Sequence, residues 1–166
     1  MSKAAVYAGT FDPITNGHHD IIVRAAGIVE TLHVGIVEQP NKKTLFDAKE
    51  RVRLVRESVR DLSPDIASRV HVESFGGLLM DYVKQLGCRV VIRGLRAVTD
   101  YEYEAQMAVI NRHLQADVET VFLMTSDHCS FISSSIVREI ARYGGDVSGL
   151  VPKPVAERLK SSFSKA

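Results

Sequence analysis

The feature that most constrains the fold is a regular alternation of short apolar runs with longer amphipathic segments. Five of the runs are rich in β-branched residues and have the length of single strands: Ala4 to Gly9, Leu32 to Glu38, Arg69 to Phe75, Arg89 to Gly94 and Val118 to Thr125. Strands that alternate with helices in this way form a parallel sheet with both faces covered. We therefore predict an α/β fold, a Rossmann-like doubly wound sheet of five parallel strands with helices on both faces.

The segments between the runs carry helix signals. The segment from Ala48 to Leu62 has an apolar residue at every third or fourth position, and Asp47 with Glu50 resembles a capping box at its start. After the fourth run, Thr99 and Glu102 have the same spacing and predict a second capped helix. We expect the buried stripe of that helix to consist of Tyr103, Met107, Ile110 and Leu114.

Two further helices are expected towards the C-terminus. One begins near Ser133 or Ser134 and runs to Tyr143, with Gly144 and Gly145 as left-handed stop residues. The last begins at about residue 152, after which Val155, Leu159 and Phe163 share one side. We interpret residues 1–166 as a single domain, a length that buries about 70% of the unfolded chain's surface.

Charge and cysteine content exclude several classes of protein. The chain has 21 Lys and Arg against 20 Asp and Glu, so it has no overall field that would attract nucleic acid or an anionic membrane. Cys88 and Cys129 lack the spacing of a zinc site, and we expect two reduced thiols. Because no run approaches the roughly 20 apolar residues of a membrane span, and the first residues lack a signal-peptide core, we expect a cytoplasmic protein.

A polar stretch, YAGTFDPITNGHHD, follows the first predicted strand from Tyr7 to Asp20. Parallel α/β sheets bind ligands outside the carboxyl ends of their strands. Gly9 allows a tight turn, Thr10 offers a hydroxyl and an amide, and a helix that begins near Asn16 exposes unpaired N–H groups. The stretch predicts an anion cradle, and the alternative is an ordinary turn.

The histidines of this stretch favour the cradle over the turn. A helix interior gains little from histidine, and an imidazole in the first turn faces the strand ends. His18 and His19 are adjacent and point about 100° apart, so they cannot readily chelate one metal ion. We interpret the remaining histidines as structural or surface residues: His33, His71, His113 and His128.

Three other strand ends carry groups suited to phosphates. Arg93 and Arg96 flank Gly94 after the fourth strand, three serines precede an apolar helix at Ser133–Ser135, and Lys42 and Lys43 follow the second strand. Each alone has an ordinary alternative: an exposed arginine pair, a redundant helix cap or a solvated loop. Because all of them fall at one edge of the predicted sheet, together they predict a polyphosphate site.

Familiar nucleophile and nucleotide motifs are missing from this edge. The sequence has no Ser-His-Asp arrangement, no G-x-x-x-x-G-K-[ST] loop and no G-x-G-x-x-G fingerprint. The expected chemistry is therefore one in which the protein stabilises charge on phosphates and supplies no nucleophile of its own.

Read together, GTFDPITNGHHD, VIRGLRAVTDYEYE and SFISSSIVRE resemble the bacterial phosphopantetheine adenylyltransferase family. Thr15 to His18 looks like the (H/T)xGH signature of the wider nucleotidyltransferase α/β phosphodiesterase superfamily. Ile132 to Ser135, followed by Arg138, looks like its ISSS-x-x-[RK] signature. The resemblance runs from Val6 to about Pro154.

The resemblance implies transfer of the adenylyl group of ATP to 4'-phosphopantetheine, giving dephospho-coenzyme A and pyrophosphate, with Mg²⁺ carried by ATP and no metal ligand from the protein. It implies that His18 stabilises the transition state, with Lys42 and Arg93 as further catalytic residues. The ATP-binding residues it implies are Thr10, Phe11, His18, Gly94, Leu95, Arg96, Glu104, Cys129, Ser130, Phe131, Ile132, Ser133, Ser134 and Ser135. The 4'-phosphopantetheine-binding residues it implies are Thr10, Lys42, Leu79 and Arg93.

The same resemblance implies a homohexamer and coenzyme A as a feedback ligand. Cys129 departs from the family pattern, in which an aromatic residue commonly stands at this position. Two alternatives remain from the sequence: another small nucleotidyltransferase of the superfamily, or a sensor that binds ATP or coenzyme A without turnover.

Overall fold

The structure is a computed structural model that describes residues 3–38 and 43–163. The strands are β1 (Ala4–Gly9), β2 (Thr31–Glu38), β3 (Val70–Gly76), β4 (Val90–Leu95) and β5 (Glu119–Met124). The helices are α1 (Asn16–Ala26), α2 (Ala48–Arg60), α3 (Pro64–Arg69), α4 (Leu79–Gln85), α5 (Val98–Leu114), α6 (Ser134–Arg142) and α7 (Lys153–Phe163). In the part of the chain described, no helix is long and apolar enough to cross a membrane.

All five strands form one parallel sheet in the order β3-β2-β1-β4-β5. Chain order reverses between β1 and β4, which pair through Val6 with Val91 and Tyr7 with Ile92. In open α/β sheets this reversal opens a crevice beyond the carboxyl ends of the two central strands. The residues that follow β1 and β4 therefore lie at the crevice.

Apolar side chains cover both faces of the sheet, as the five-stranded doubly wound prediction requires. On one face, residues of α1, α2, α6 and α7, among them Ile21, Val55, Val137 and Leu159, pack in one buried cluster with strand residues. On the other face, α4 contributes Met80, Tyr82 and Val83 to a second cluster. The predicted α/β fold is confirmed.

Most predicted boundaries agree with the structure to within one residue. Asp47 caps α2 by accepting the N–H of Glu50 at 2.8 Å, although the carboxylate of Glu50 pairs with Arg53 and Arg158. Ser133 caps α6, and α7 begins at Lys153, next to the predicted position. Two short helices, α3 and α4, were not predicted, because six and seven residues are too few to establish a helical period.

The prediction for α5 was wrong in two respects. The helix begins two residues earlier than expected, with Ala97 at the N-cap and no capping side chain, so Thr99 and Glu102 do not form a capping box. The expected stripe is not buried: Tyr103, Ile110 and Leu114 are exposed by 63%, 48% and 49%. The apolar spacing is real, but no described element of this chain covers that side of the helix.

The end of α6 also differs in detail from the prediction. Gly144 has the expected left-handed φ of 75°, and its N–H donates to the carbonyl of Ala141. Gly145 is not left-handed, and its N–H donates to Ile140. One left-handed residue is therefore sufficient to end the helix.

Candidate functional site

The carboxyl ends of β1 and β4 and the N-termini of α1 and α6 enclose a cavity of about 450 Å³. Eleven of the site residues predicted from the sequence line it: Thr10, Phe11, His18, Arg93, Gly94, Arg96, Glu104, Ile132, Ser133, Ser134 and Ser135. Lys43 also lines it, whereas Lys42 lies outside the described residues. The structure thus brings together groups drawn from four separate segments of the chain.

Five predicted site residues do not line this cavity: Leu79, Leu95, Cys129, Ser130 and Phe131. The side chains of Leu95 and Cys129 are buried in the protein, and Leu79 begins α4 against the second core cluster. Phe131 lies at the surface with 65% of its area exposed. The family's aromatic residue is therefore replaced here by a buried cysteine that does not line the cavity.

Phe11 shapes the loop after β1. It has a left-handed φ of 48°, and its ring is buried edge-on between two other rings, 5.4 Å from Tyr7 and 5.1 Å from His18 between ring centres. An apolar residue rarely adopts a positive φ, so packing of this ring holds the turn in place.

His18 is held by a capping box at the start of α1. The N–H of Thr15 donates to Nδ1 of His18 at 3.0 Å, and the N–H of His18 donates to Oγ1 of Thr15 at 3.4 Å. A ring nitrogen that accepts a hydrogen bond carries no proton, so a neutral His18 carries its proton on Nε2. The capping box therefore sets the tautomer as well as the helix start.

The ring of His18 is neutral at physiological pH. Burial, followed by the positive charges of Arg96 and Arg93, lowers the pKa of His18 from 6.5 to about 4. At pH 7 the imidazole consequently offers an N–H donor without adding a positive charge.

Arg93 reaches the cavity from β4 in a rigid arrangement. Its guanidinium makes two hydrogen bonds of 2.6 Å to the carboxylate of Glu104 and one of 2.7 Å to the carbonyl of Ala8. Burial opposes the charge of Arg93, but the bond to Glu104 outweighs it and raises the pKa of the guanidinium. Arg93 is thus a fixed cation with a carboxylate partner in the same wall.

Arg96 forms a second pair just beyond β4. Its side chain makes hydrogen bonds of 3.0 and 3.1 Å to the carboxylate of Asp100, one helical turn away on α5. The carboxylate of Asp100 also accepts the backbone N–H of Arg96 at 3.1 Å. Both arginines therefore enter the cavity in planar, bidentate pairs that hold their forks in one orientation.

The three serines at the start of α6 have different roles. Oγ of Ser133 accepts the N–H of Ile136 at 3.2 Å as the helix cap, and Oγ of Ser134 donates to the carbonyl of Pro13 at 2.8 Å. Oγ of Ser135 lies 3.0 Å from Oγ of Ser133. Ser134 thereby joins the N-terminus of α6 to the loop before α1, so two positive helix ends face one cavity.

Asp12 is a supporting residue that the sequence reasoning missed. Its buried carboxylate accepts the N–H groups of Leu45 and Phe46 at 2.8 and 3.0 Å, and the guanidinium of Arg138 donates to its backbone carbonyl. Asp12 therefore ties the loop after β1 to the segment before α2 and to α6.

Arg51 is the second supporting residue that was missed. Only 3% of it is exposed, and it donates to the carbonyls of Thr10, Val37 and Phe46 at 2.6, 3.1 and 3.1 Å. A signal for it existed in the sequence, because Arg51 lies on the same face of α2 as the buried Val55. A charge on an apolar helix face indicates a buried polar network.

Asp20 ties the far wall of the site to α1. Its carboxylate accepts the N–H and the hydroxyl of Ser126, after β5, at 3.0 and 2.7 Å. Although burial opposes ionisation, these hydrogen bonds lower the pKa of Asp20.

Metal ligands do not cluster in the part of the chain that the structure describes. No group of three or more His, Cys, Asp or Glu side chains is placed to hold a metal ion there. Three carboxylates line the cavity: Glu104 and Asp100 are paired with arginines, and Asp12 accepts the backbone N–H groups of Leu45 and Phe46.

Comparison with known proteins places the chain among nucleotidyltransferases. A cytidylyltransferase-like family model matches residues 6–140. A protein named phosphopantetheine adenylyltransferase from Roseiflexus sp. (strain RS-1) is 49% identical over 161 residues, covering 97% of this chain and 98% of the relative. One of the same name from Clostridium kluyveri is 47% identical over 166 residues, covering 100% and 98%.

Solved structures support the fold. A putative nicotinate-nucleotide adenylyltransferase from Vibrio parahaemolyticus superposes with a TM-score of 0.73 at 15% identity, covering 100% of this chain and 98% of the other. A Plasmodium falciparum nicotinic acid mononucleotide adenylyltransferase, complexed with NaAD, has the same TM-score and identity and covers 99% and 97%. At 15% sequence identity, these two structures support the fold of this chain and say nothing about its substrate.

Proposed function

The chain belongs to the cytidylyltransferase-like family and, within it, to the phosphopantetheine adenylyltransferases, and on this premise we propose how its site works. The reaction is transfer of the adenylyl group of ATP to 4'-phosphopantetheine, which gives dephospho-coenzyme A and pyrophosphate. The family predicted from the motifs is confirmed, and neither alternative, another nucleotidyltransferase or a non-catalytic sensor, gains support from the relatives.

The observation that carries the mechanism is the convergence of cations and N–H donors on one cavity. Neutral His18, the guanidinium groups of Arg93 and Arg96 and two helix N-termini all face it. These groups suit the stabilisation of negative charge on phosphates, as a transition state of phosphoryl transfer requires.

The acceptor needs no general base from the protein. A phosphate monoester has its second pKa near about 6, so the phosphate of 4'-phosphopantetheine is largely a dianion at pH 7. One of its oxygens attacks the α-phosphorus of ATP, a new P–O bond forms, and the bond between the α-phosphorus and the bridging oxygen of pyrophosphate breaks. The electron pair of that bond leaves with pyrophosphate, and no covalent enzyme intermediate is formed.

We assign His18 to the transition state, with its Nε2–H donating to a non-bridging phosphate oxygen. Arg93 and Lys42 neutralise the acceptor phosphate, and Thr10 contacts both substrates. Mg²⁺ bound to ATP would supply further neutralisation of the phosphate charge. These residues hold the two anionic substrates together in the orientation needed for attack. Such positioning lowers the barrier of a reaction between two molecules.

The sheet divides the two substrate sides. Arg93 shares a strand face with Val91 of the second core cluster, whereas Gly94 shares the opposite face with Ile92 and lies against Ile21 of α1. We propose that 4'-phosphopantetheine lies on the Arg93 side, towards Leu79. ATP lies on the Gly94 side, against Phe11, Arg96 and the segment 129–135. Leu95 and Glu104, which the resemblance also assigns to ATP, lie on the Arg93 side of the strand, where Glu104 pairs with Arg93.

We further propose that the chain assembles as a homohexamer. The apolar side of α5 and the edge strand β5 expose Val98, Val109, Ile110, Leu114 and Met124 by 48% to 82%. Large exposed apolar patches mark interaction surfaces, and copies of the same chain are the commonest partner. We also propose coenzyme A as a feedback ligand, since it contains the pantetheine and adenylate parts of the product, and a cytoplasmic location, where ATP is available.

The reaction is tested by pyrophosphate release from ATP and Mg²⁺ with 4'-phosphopantetheine. Unphosphorylated pantetheine, glycerol 3-phosphate and nicotinamide mononucleotide serve as alternative acceptors, and mass spectrometry identifies the product. We expect release only with 4'-phosphopantetheine, together with dephospho-coenzyme A. Release with another acceptor would change the substrate, and ATP binding without turnover on any acceptor would favour the sensor.

A further inference from the structure

Tyr7 lies in β1, beneath the proposed nucleotide site. It pairs in register with Val34 and Ile92, only 5% of it is exposed, and its ring packs edge-on against Phe11. The small exposed part faces the cavity, because Tyr7 is one of the lining residues. The side chain is therefore a core residue whose polar end reaches the site.

Among the described residues, burial and nearby charges act on the hydroxyl of Tyr7, but no hydrogen bond from another side chain or from the backbone does. It lies beside Gly94: a Cβ at Gly94 would be 3.5 Å from the hydroxyl oxygen and 3.0 Å from Ile21. Tyr82 is equally buried but behaves differently, because its hydroxyl donates to Glu73 at 2.7 Å. The hydroxyl of a buried tyrosine usually finds such a partner in the protein, whereas that of Tyr7 opens to the cavity, where a bound molecule can supply one.

The charges around Tyr7 are mixed, and the phenol itself supplies the donor that a ligand oxygen would accept. The guanidinium groups of Arg93 and Arg96 both act on it, and so do the carboxylates of Glu104 and Asp20. Burial raises the pKa of Tyr7, so at neutral pH the phenol keeps its proton and is an O–H donor.

We propose that the Tyr7 hydroxyl is a further substrate-binding group that donates a hydrogen bond to an oxygen of the bound nucleotide. This inference rests on the proposed function, because it takes the Gly94 face of the sheet as the nucleotide side. Tyr7, Gly94 and Ile21 of α1 lie on that one face. Bound nucleotide thereby gives the hydroxyl an acceptor that the described residues do not supply.

The test is isothermal titration of MgATP into Tyr7→Phe and wild-type protein. Loss of one hydrogen bond to a charged or strongly polar oxygen should weaken ATP binding on the order of 10-fold. Since no described residue bonds to the hydroxyl, the melting temperature without ligand should stay within about 2 °C of wild type. Tyr143→Phe is the control, because Tyr143 is 83% exposed and does not line the cavity, and its ATP affinity should not change.

Analogues of ATP identify which nucleotide oxygen accepts the hydrogen bond from Tyr7. If the penalty of Tyr7→Phe disappears with 2'-deoxy-ATP or with 3'-deoxy-ATP, the partner is that ribose hydroxyl. If it persists with both and also appears with inorganic triphosphate, the partner is a phosphate oxygen. Either result supports a contact with the nucleotide.

Two results would overturn the inference. One is a Tyr7→Phe protein with wild-type affinity for all four ligands, and the other is a variant that fails to fold or melts well below wild type, which would make the hydroxyl structural. Failure of the proposed function is distinguishable, because it would appear as wild-type protein that binds ATP without adenylylating 4'-phosphopantetheine, and the binding comparison would still be valid.

Discussion

The backbone N–H of Thr15 donates to Nδ1 of His18 across 3.0 Å, and this contact determines which ring nitrogen is free to face the cavity. Nδ1 is occupied as an acceptor, so the proton of the neutral ring is on Nε2. Helix capping and catalysis thus use the same two residues, and the donor is aligned before substrate binds.

Replacement of His18 tests its assignment to the transition state. We expect His18→Ala to lower kcat by about 100-fold or more, roughly 2.7 kcal/mol, with a smaller change in ATP affinity. Steady-state kinetics and titration calorimetry measure the two effects. His19→Gln is the control, because His19 bonds to the carbonyl of Ser58 and does not line the cavity. A His18→Ala enzyme with nearly full kcat would remove His18 from the mechanism.

The depressed pKa of His18 predicts a pH dependence of stability. The folded-state pKa of about 4 lies below the ordinary value of 6.5, so the neutral ring stabilises the fold fully above pH 6.5. That contribution is lost as the pH falls from about 6.5 towards about 4. Urea unfolding at pH 7 and pH 5 should show a smaller loss of unfolding free energy for His18→Gln than for wild type. Equal losses would contradict the assigned pKa.

Arg51 is expected to stabilise both the fold and the site. Arg51→Met leaves the carbonyls of Thr10, Val37 and Phe46 without their buried donor, and we expect a loss of about 3 kcal/mol in unfolding free energy together with a lower kcat. Arg53→Met is the control on the same helix, because Arg53 makes only exposed pairs with Glu50 and Glu57 and should cost less than about 1 kcal/mol. Similar losses in the two variants would refute a special role for Arg51.

If the chain self-associates through the exposed apolar side of α5, a charged residue placed there should lower the mass of the assembly. Ile110→Asp should dissociate the assembly, because an unpaired carboxylate in an apolar interface is strongly unfavourable. Ile28→Asp is the control, since Ile28 is exposed to a similar extent, 51% against 48%, but lies outside this surface. Light scattering should give a smaller particle for Ile110→Asp only, and a monomeric wild type would contradict the proposed hexamer.

The sequence was sufficient to predict the sheet, because runs of β-branched residues have few alternatives to a buried strand. It was equally informative about His18, Arg93 and the serines before α6. These residues follow predicted strands or begin predicted helices, and in a parallel sheet such positions lie at the edge that binds ligands. Tertiary partners were harder to predict. Ile110 and Leu114 have the spacing of a buried stripe, but spacing does not say which chain covers it.

Supporting residues were missed for a related reason. Asp12 bonds to the backbone of Phe46, 34 residues away, and Arg51 bonds to the backbone of Thr10, 41 residues away. Arg51 also bonds to Val37, which is 14 residues away on another element. The local pattern of α2 can indicate that Arg51 is buried, but it does not say which backbone groups Arg51 contacts. Tyr7 was read only as part of a strand, because the missing partner of its hydroxyl is visible only once its neighbours are placed.

The measurement that tests the central claim most directly is the stereochemical course at the α-phosphorus. Turnover of ATP made chiral at that phosphorus with sulfur and labelled oxygen reports how many displacements occur there. Direct attack by the acceptor phosphate, with the protein only stabilising charge, predicts inversion of configuration in dephospho-coenzyme A. Retention would show two successive displacements through an adenylylated side chain and would contradict the account.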